Sequence, residues 1–120
     1  MKVIIAGGRD FTDAKLAYSC IREHVSPNDT IISGHARGAD EIGERYAHDN
    51  SLPLEIYPAD WNRYGRSAGY IRNAVMAEAA DKLIAFWDGR SRGTKNMIET
   101  AKKQSLEVIV FDYIGNKIEV

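Results

Sequence analysis

The stretch SGHARGAD at positions 33–40 follows the short apolar run TII at 30–32. Two glycines, a serine and a carboxylate crowd the point where an extended run gives way to a helical pattern, more special residues than a plain turn requires. Working outward, the run before it is one of five of the same kind: KVIIA at 2–6, TIIS at 30–33, LEIY at 54–57, KLIAFW at 82–87 and EVIVF at 107–111. Each is continuous rather than alternating, the pattern of a strand buried on both faces. Helical spacing fills the intervals. Leu16, Cys20, Ile21 and His24 follow Asp13, and Ala39, Ile42, Tyr46 and Ala47 follow Gly38. Ala68, Ile71, Val75 and Ala79 repeat the spacing, as do Thr94, Met97, Ile98 and Ala101. Strand and helix alternate from end to end, which predicts right-handed crossovers and one α/β three-layer domain over residues 1–120, its sheet five-stranded and mainly parallel. A GN turn in the closing YIGNKIEV predicts a small edge strand folding back on that sheet.

Composition bounds the function. A chain of 120 residues, 44% apolar and 28% charged, is long enough for one core and too short for two. No apolar stretch approaches the ~18 residues of a membrane span, and MKVIIAGG reaches glycine too early for a signal peptide. The lone Cys20 sits at an apolar helical position as a small core hydrophobe, and no Cys/His cluster has zinc spacing. The expectation is an intracellular, cytoplasmic chain with no membrane contact, no structural metal and no required cofactor. A net charge of −1 lacks the basic balance of a domain built for polyanions, so nucleic acid ranks behind a small molecule as partner. Arginines nevertheless gather at Arg9, Arg63 to Arg72, and Arg90 to Arg92, each time beside glycines.

In open parallel sheets, ligands bind at the carboxyl ends of the strands where strand order reverses. At those ends lie GGRDF (7–11), SGHARGAD (33–40), PADW (58–61) and DGRSRGT (88–94), whereas HVSPND and NSLP on the opposite edge read as ordinary connections. Glycine allows close approach to backbone N–H groups, and a helix N-terminus adds roughly half a positive charge, a combination suited to phosphate. Gly7, Gly8, Gly34, Gly38 and Gly93 are the candidate backbone positions, with Ser33, Ser91 and Thr94 as hydroxyl donors. Arg9 is suited to phosphate and Asp10 to ribose hydroxyls. Arg72 and Asn73 are placed to grip phosphate, ribose or base, and Trp61, with Tyr64 near it, to stack on a base. GGRDFT lacks the GxGxxG fingerprint, and no Walker lysine is present, which disfavours a conventional dehydrogenase or P-loop ATPase.

These residues carry a resemblance. SGHARGAD resembles the SGxARGxD motif of the DNA-processing protein A (Smf) family, and GYIRNAVMAEAADKLIAFWDGRSRGT resembles the second half of the Lonely Guy phosphoribohydrolases. Both belong to the SLOG superfamily of Rossmann-like nucleotide-binding domains, and GGRDF with SGxxxGAD and RN is most similar to its small YspA-like branch. The resemblance spans nearly the whole chain and implies a Rossmann-like fold, a nucleotide-like ligand, and Asp40 as part of the motif.

It also implies where hydrolase chemistry would sit. Aligning GT on Gly93 and Thr94 puts Arg72 at the arginine of the Lonely Guy catalytic pair, while the glutamate position falls on Met97. Methionine cannot transfer a proton, and Glu99, two residues on, points to another helix face. The leading expectation is therefore binding of a nucleoside monophosphate or an ADP-ribose-like molecule, as sensor or sequestering module. A phosphoribohydrolase using Arg72, with Asp10, Asp40 or Asp88 replacing the glutamate, is the alternative, and single-stranded DNA binding the third. An apolar helix stripe leaves pairing into a homo-oligomer open.

Overall fold

A computed structural model describes residues 1–120. The expected alternation is present as β1 (Lys2–Gly7), α1 (Ala14–Arg22), β2 (Thr30–Ser33), α2 (Ala39–Asp49) and β3 (Leu54–Ile56). Then come α3 (Trp61–Tyr64), a 3-10 turn (Gly65–Ser67), α4 (Ala68–Ala79), β4 (Lys82–Phe86), α5 (Arg92–Lys103), β5 (Glu107–Phe111) and β6 (Lys117–Ile118).

The sheet runs β3-β2-β1-β4-β5-β6, with every neighbouring pair parallel except β5 and β6. It has six strands rather than five because the GN segment does fold back. Asp112 Oδ1 accepts from the amides of Ile114 and Asn116, and this turn sets Phe111 opposite Lys117. Strand order reverses between β1 and β4, so the gap above those two strands is where neighbouring loops diverge and leave a crevice.

The continuous apolar strands serve two cores. Val3, Ile5, Ile31 and Ile84 pack beneath Ala17 and Ile21 of α1 and Ile42 and Tyr46 of α2. Ile4, Ile32, Leu83 and Ala85 pack beneath Met76 and Ala77 of α4 and Met97 and Ile98 of α5. Alternation of side chains along each strand sends one set to each face, which is why no polar residue interrupts β4 until its N-terminal Lys82. Phe11 closes the first core, its ring stacked 4.7 Å from that of Phe86.

Two expectations are corrected. LEIY does not form a strand buried on both faces: β3 is the sheet edge, with Leu54 and Ile56 exposed. On α4 the buried residues are Ala68, Asn73, Met76 and Ala77, not Ile71 and Val75, which face outward at 37% and 45% exposure. Both stripes satisfy helical periodicity. The choice falls to the one that sets Met76 and Ala77 against Ile4 and Leu83 of the sheet and Asn73 against α5, where its amide reaches Asn96 Oδ1 at 3.0 Å.

Candidate functional site

A cleft of about 440 Å3 opens where strand order reverses. Its back wall is the end of β1 and the loop after it, through Gly7, Gly8, Arg9 and Asp10. Asp40 enters from α2, and Trp61, Arg66, Tyr70, Arg72 and Asn73 from the α3–α4 side. Asp88, Ser91, Gly93 and Thr94 form the wall from the β4–α5 loop, and Met76 and Met97 the floor. Most residues singled out in the sequence therefore share one cleft, although they come from four separate segments of the chain.

Much of the glycine chemistry turns out to be packing of one loop on another. A Cβ built on Gly34 would fall 2.5 Å from Arg72 Nη1 and 2.9 Å from Asp40 Oδ2, so the missing side chain is what seats the guanidinium. Arg72 Nη1 donates to the Gly34 carbonyl at 2.5 Å, and its Nε donates to Asn73 Oδ1 at 3.0 Å. Gly38, at φ 77, lies against the backbone of Gly8 and Arg9, and the amide of Ala39 donates to the Gly8 carbonyl at 3.2 Å. A side chain at residue 38 would be strained by its dihedral and obstructed by that loop.

Ser33 departs from its expected role. It is fully buried, donates to Glu44 Oε2 at 2.7 Å and accepts from the His35 amide, so its hydroxyl lies under the loop rather than in the cleft. Asn73 is 5% exposed, and its amide group is spent on Gly93 O and Asn96 while its oxygen holds Arg72. It positions the wall. Asp10 accepts from the Tyr113 hydroxyl at 2.6 Å, and Asp88 Oδ1 accepts from the amides of Arg90 and Ser91, each at 2.8 Å. Those amides hold the Asp88 carboxyl below the usual carboxylate range.

The two helix N-termini facing the cleft differ in electrostatics. α2 carries Asp40 and Glu41 in its first turn, so a dissolved anion would meet carboxylates there. α5 has no acid in its first turn, Ser91 caps it by accepting from the Thr94 amide, and the amides of Arg92 and Gly93 have no acceptor in the chain. A Cβ on Gly93 would meet nothing within 4 Å, so this is the open stretch of wall. α5 is the end of the cleft that suits an anion.

Asp40 is the perturbed acid of the site. Burial pushes its carboxyl up to about 6, against the Ala36 amide, which donates to Oδ2 at 3.1 Å, and the charge of Arg72. Burial likewise lowers the proton affinity of Arg72, partly countered by Asp40. The ion pairs of the chain involve the N-terminus, lysines and histidines; no arginine has a carboxylate oxygen within 4.0 Å. Arg9, Arg66 and Arg72 thus face the cleft with their charge unmatched by a direct partner. Arg9 stands 5.8 Å from the centroid of the half-exposed Trp61 ring.

Sequence alone does not single out Arg66, Tyr70 or Arg37: Arg66 is one of several arginines between 63 and 72, and Arg37 sits inside SGHARGAD between more conspicuous glycines.

Comparison with known proteins agrees with this architecture. A family model described as "YspA, cpYpsA-related SLOG family" matches residues 1–64. The Gene 61 protein of Mycobacterium phage D29 is 37% identical over 119 residues, covering 92% of this chain and 95% of its own. Among solved structures, DNA processing protein A from Streptococcus pneumoniae has a TM-score of 0.74 at 22% identity, and this chain spans 92% of its own length and 50% of that protein. DNA processing protein A from Helicobacter pylori, described for its unique single-stranded DNA binding mode, has a TM-score of 0.67 at 20% identity, over 92% of this chain and 65% of that one. The two structures share the fold; the family model and the phage relative go further, and on them the chain belongs to the YspA, cpYpsA-related SLOG family.

Proposed function

We propose that the cleft binds a nucleotide unit, holding its phosphate at the N-terminus of α5 and its base against Trp61 and Tyr70. The observation that carries this is the set of cleft arginines without a carboxylate partner, in a cleft that also contains the start of α5 with its unused amides. An unpaired guanidinium beside N–H donors is an arrangement that a phosphate completes with charge-assisted hydrogen bonds. Trp61 and Tyr70 are both about half exposed at the rim, where an aromatic face is free for a planar base. Asp40 and Asp10 are the acceptors suited to sugar hydroxyls. At the floor Met97 offers no proton acceptor, and the reading stays with binding rather than glycosidic cleavage.

Single-stranded DNA is the polymeric form of the same recognition, and the comparisons favour it over a free mononucleotide. The Helicobacter pylori protein of like fold is described by that binding mode. The net charge of −1 that places nucleic acid behind a small molecule is an average over the chain, whereas Arg9, Arg66 and Arg72 are concentrated at one edge of the sheet. Equilibrium binding of a mononucleotide and of a short deoxyoligonucleotide, at low and moderate salt, tests both forms. Affinity that falls steeply with salt for the strand alone identifies the polymer, since each phosphate contact releases counterions. No binding of either at millimolar concentration overturns the reading.

A further inference from the structure

Two cavities open side by side at the carboxyl edge of the sheet. Beside the cleft lies a smaller one of about 300 Å3, bounded by the Gly34–Arg37 turn after β2 and by Pro58 and Ala59 after β3. Arg9, Ala36, Trp61 and Arg72 border both. Arg9 lies over the Trp61 ring, so the pair forms a partition with one cavity on each side.

Their walls differ in charge. The cleft contains Asp10, Asp40 and Asp88, whereas the smaller cavity has no carboxylate in its wall and is bordered by Arg9, Arg37 and Arg72. None of the three has an acidic partner within 4.0 Å. Like charges gathered around a concave, partly desolvated space repel one another and concentrate a positive potential there. Pro58 and Ala59 add an apolar side on which the flat part of a ligand can rest. The basin has the composition of an anion site with room beside it.

Resting on the nucleotide reading of the cleft, we propose that the second basin takes the phosphate of an adjoining unit, so that the ligand is two nucleotide units joined through phosphate and lying across the Arg9–Trp61 partition. Arg37 borders the basin without bordering the cleft, is exposed, and makes no side-chain hydrogen bond or ion pair. Its removal therefore separates the two halves of the site without disturbing the fold.

The test is titration calorimetry of the intact chain, and of Arg37→Ala, with AMP, with the phosphodiester dinucleotide pdApdA and with the pyrophosphate-linked dinucleotide NAD. At least one of the two larger probes is expected to bind about tenfold tighter than AMP, as one additional charge-assisted phosphate contact provides. Arg37→Ala should remove most of that gain and leave AMP affinity within about twofold, with an unchanged melting temperature reporting intact folding. Whichever larger probe shows the gain tells a nucleic-acid strand from a pyrophosphate-linked molecule. Equal affinity for all three probes, or a gain that survives Arg37→Ala, overturns the two-basin proposal while leaving the cleft reading standing. Failure of every probe at millimolar concentration removes the cleft reading as well.

Discussion

Arg72 and Gly34, 38 positions apart in sequence, form the tightest loop-to-helix contact of the site: the guanidinium donates to the glycine carbonyl and fills the space a Cβ would take. Gly34→Ala is therefore expected to act through Arg72. Gly34 has no positive φ, so alanine meets no backbone penalty and must instead push the guanidinium aside. Nucleotide affinity should fall about tenfold, as for Arg72→Ala, and the double variant should be no worse than either single one. Additive losses in that cycle would show that the two residues act independently.

Trp61 separates stacking from stability. It is 50% exposed on the four-residue helix α3, so Trp61→Ala should cost the fold no more than about 1 kcal/mol. Ligand affinity should drop by about 1–3 kcal/mol if a base lies on the ring, with Trp61→Phe recovering most of it. Competition binding with the three proteins checks this. An unchanged affinity in Trp61→Ala would leave the ring as a support for Arg9 alone.

Asn73 looks like a ligand contact in the sequence and behaves as a brace in the structure. Asn73→Ala would strand Arg72 Nε and Asn96 Oδ1 in a partly buried setting, at a cost of about 1–3 kcal/mol. Its signature is a lower melting temperature together with weaker binding, whereas loss of a simple ligand contact would leave the melting temperature in place. Thermal unfolding with and without nucleotide distinguishes them.

The alternation of strands and helices was legible because continuous apolar runs and helical stripes depend on neighbours in sequence. So was the edge that holds the cleft, since strand ends and helix starts recur there with Arg9, Asp40, Gly93 and Thr94. What the pattern could not convey is how one loop touches another. Nothing local distinguishes Ser33, turned beneath its loop toward Glu44, from Ser91, which caps α5 at the cleft wall. Nor does a motif reveal that Gly34 makes room for an arginine on α4 rather than for a ligand. The outward stripe of α4 has the same origin: periodicity gives the spacing of a face, and the neighbouring α5 decides which face is used.

That decision is open to direct measurement. Met76 is 2% exposed and packs with Ile4, Leu83 and Met97, so Met76→Ala should destabilise by about 2–5 kcal/mol. Val75, one residue earlier and 45% exposed, should tolerate Val75→Ala within about 0.5 kcal/mol. Urea unfolding of the two variants gives the comparison. Equal losses would place residue 75 in an interface that the single chain does not contain.

Asp40 sets the pH dependence of the cleft. Its carboxyl titrates near 6 in the folded chain, above the 3.8 of an unperturbed aspartate, so the folded state holds this proton more tightly than the unfolded state. Stability from this group is therefore gained as pH falls from about 6 toward 4 and is lost as pH rises through 6. Above that range, burying the ionised carboxylate costs on the order of 1–3 kcal/mol. Asp40→Asn keeps an oxygen for the Ala36 amide and removes the charge, so at pH 7.5 it should melt several degrees higher than the parent chain. At pH 4.5 the parent carboxyl is itself protonated in the folded state, and most of the difference should vanish. A gain that stays constant across both pH values would mean that packing, not ionisation, separates the two side chains. A loss at pH 7.5 would mean instead that Arg72 compensates the buried charge more fully than burial penalises it.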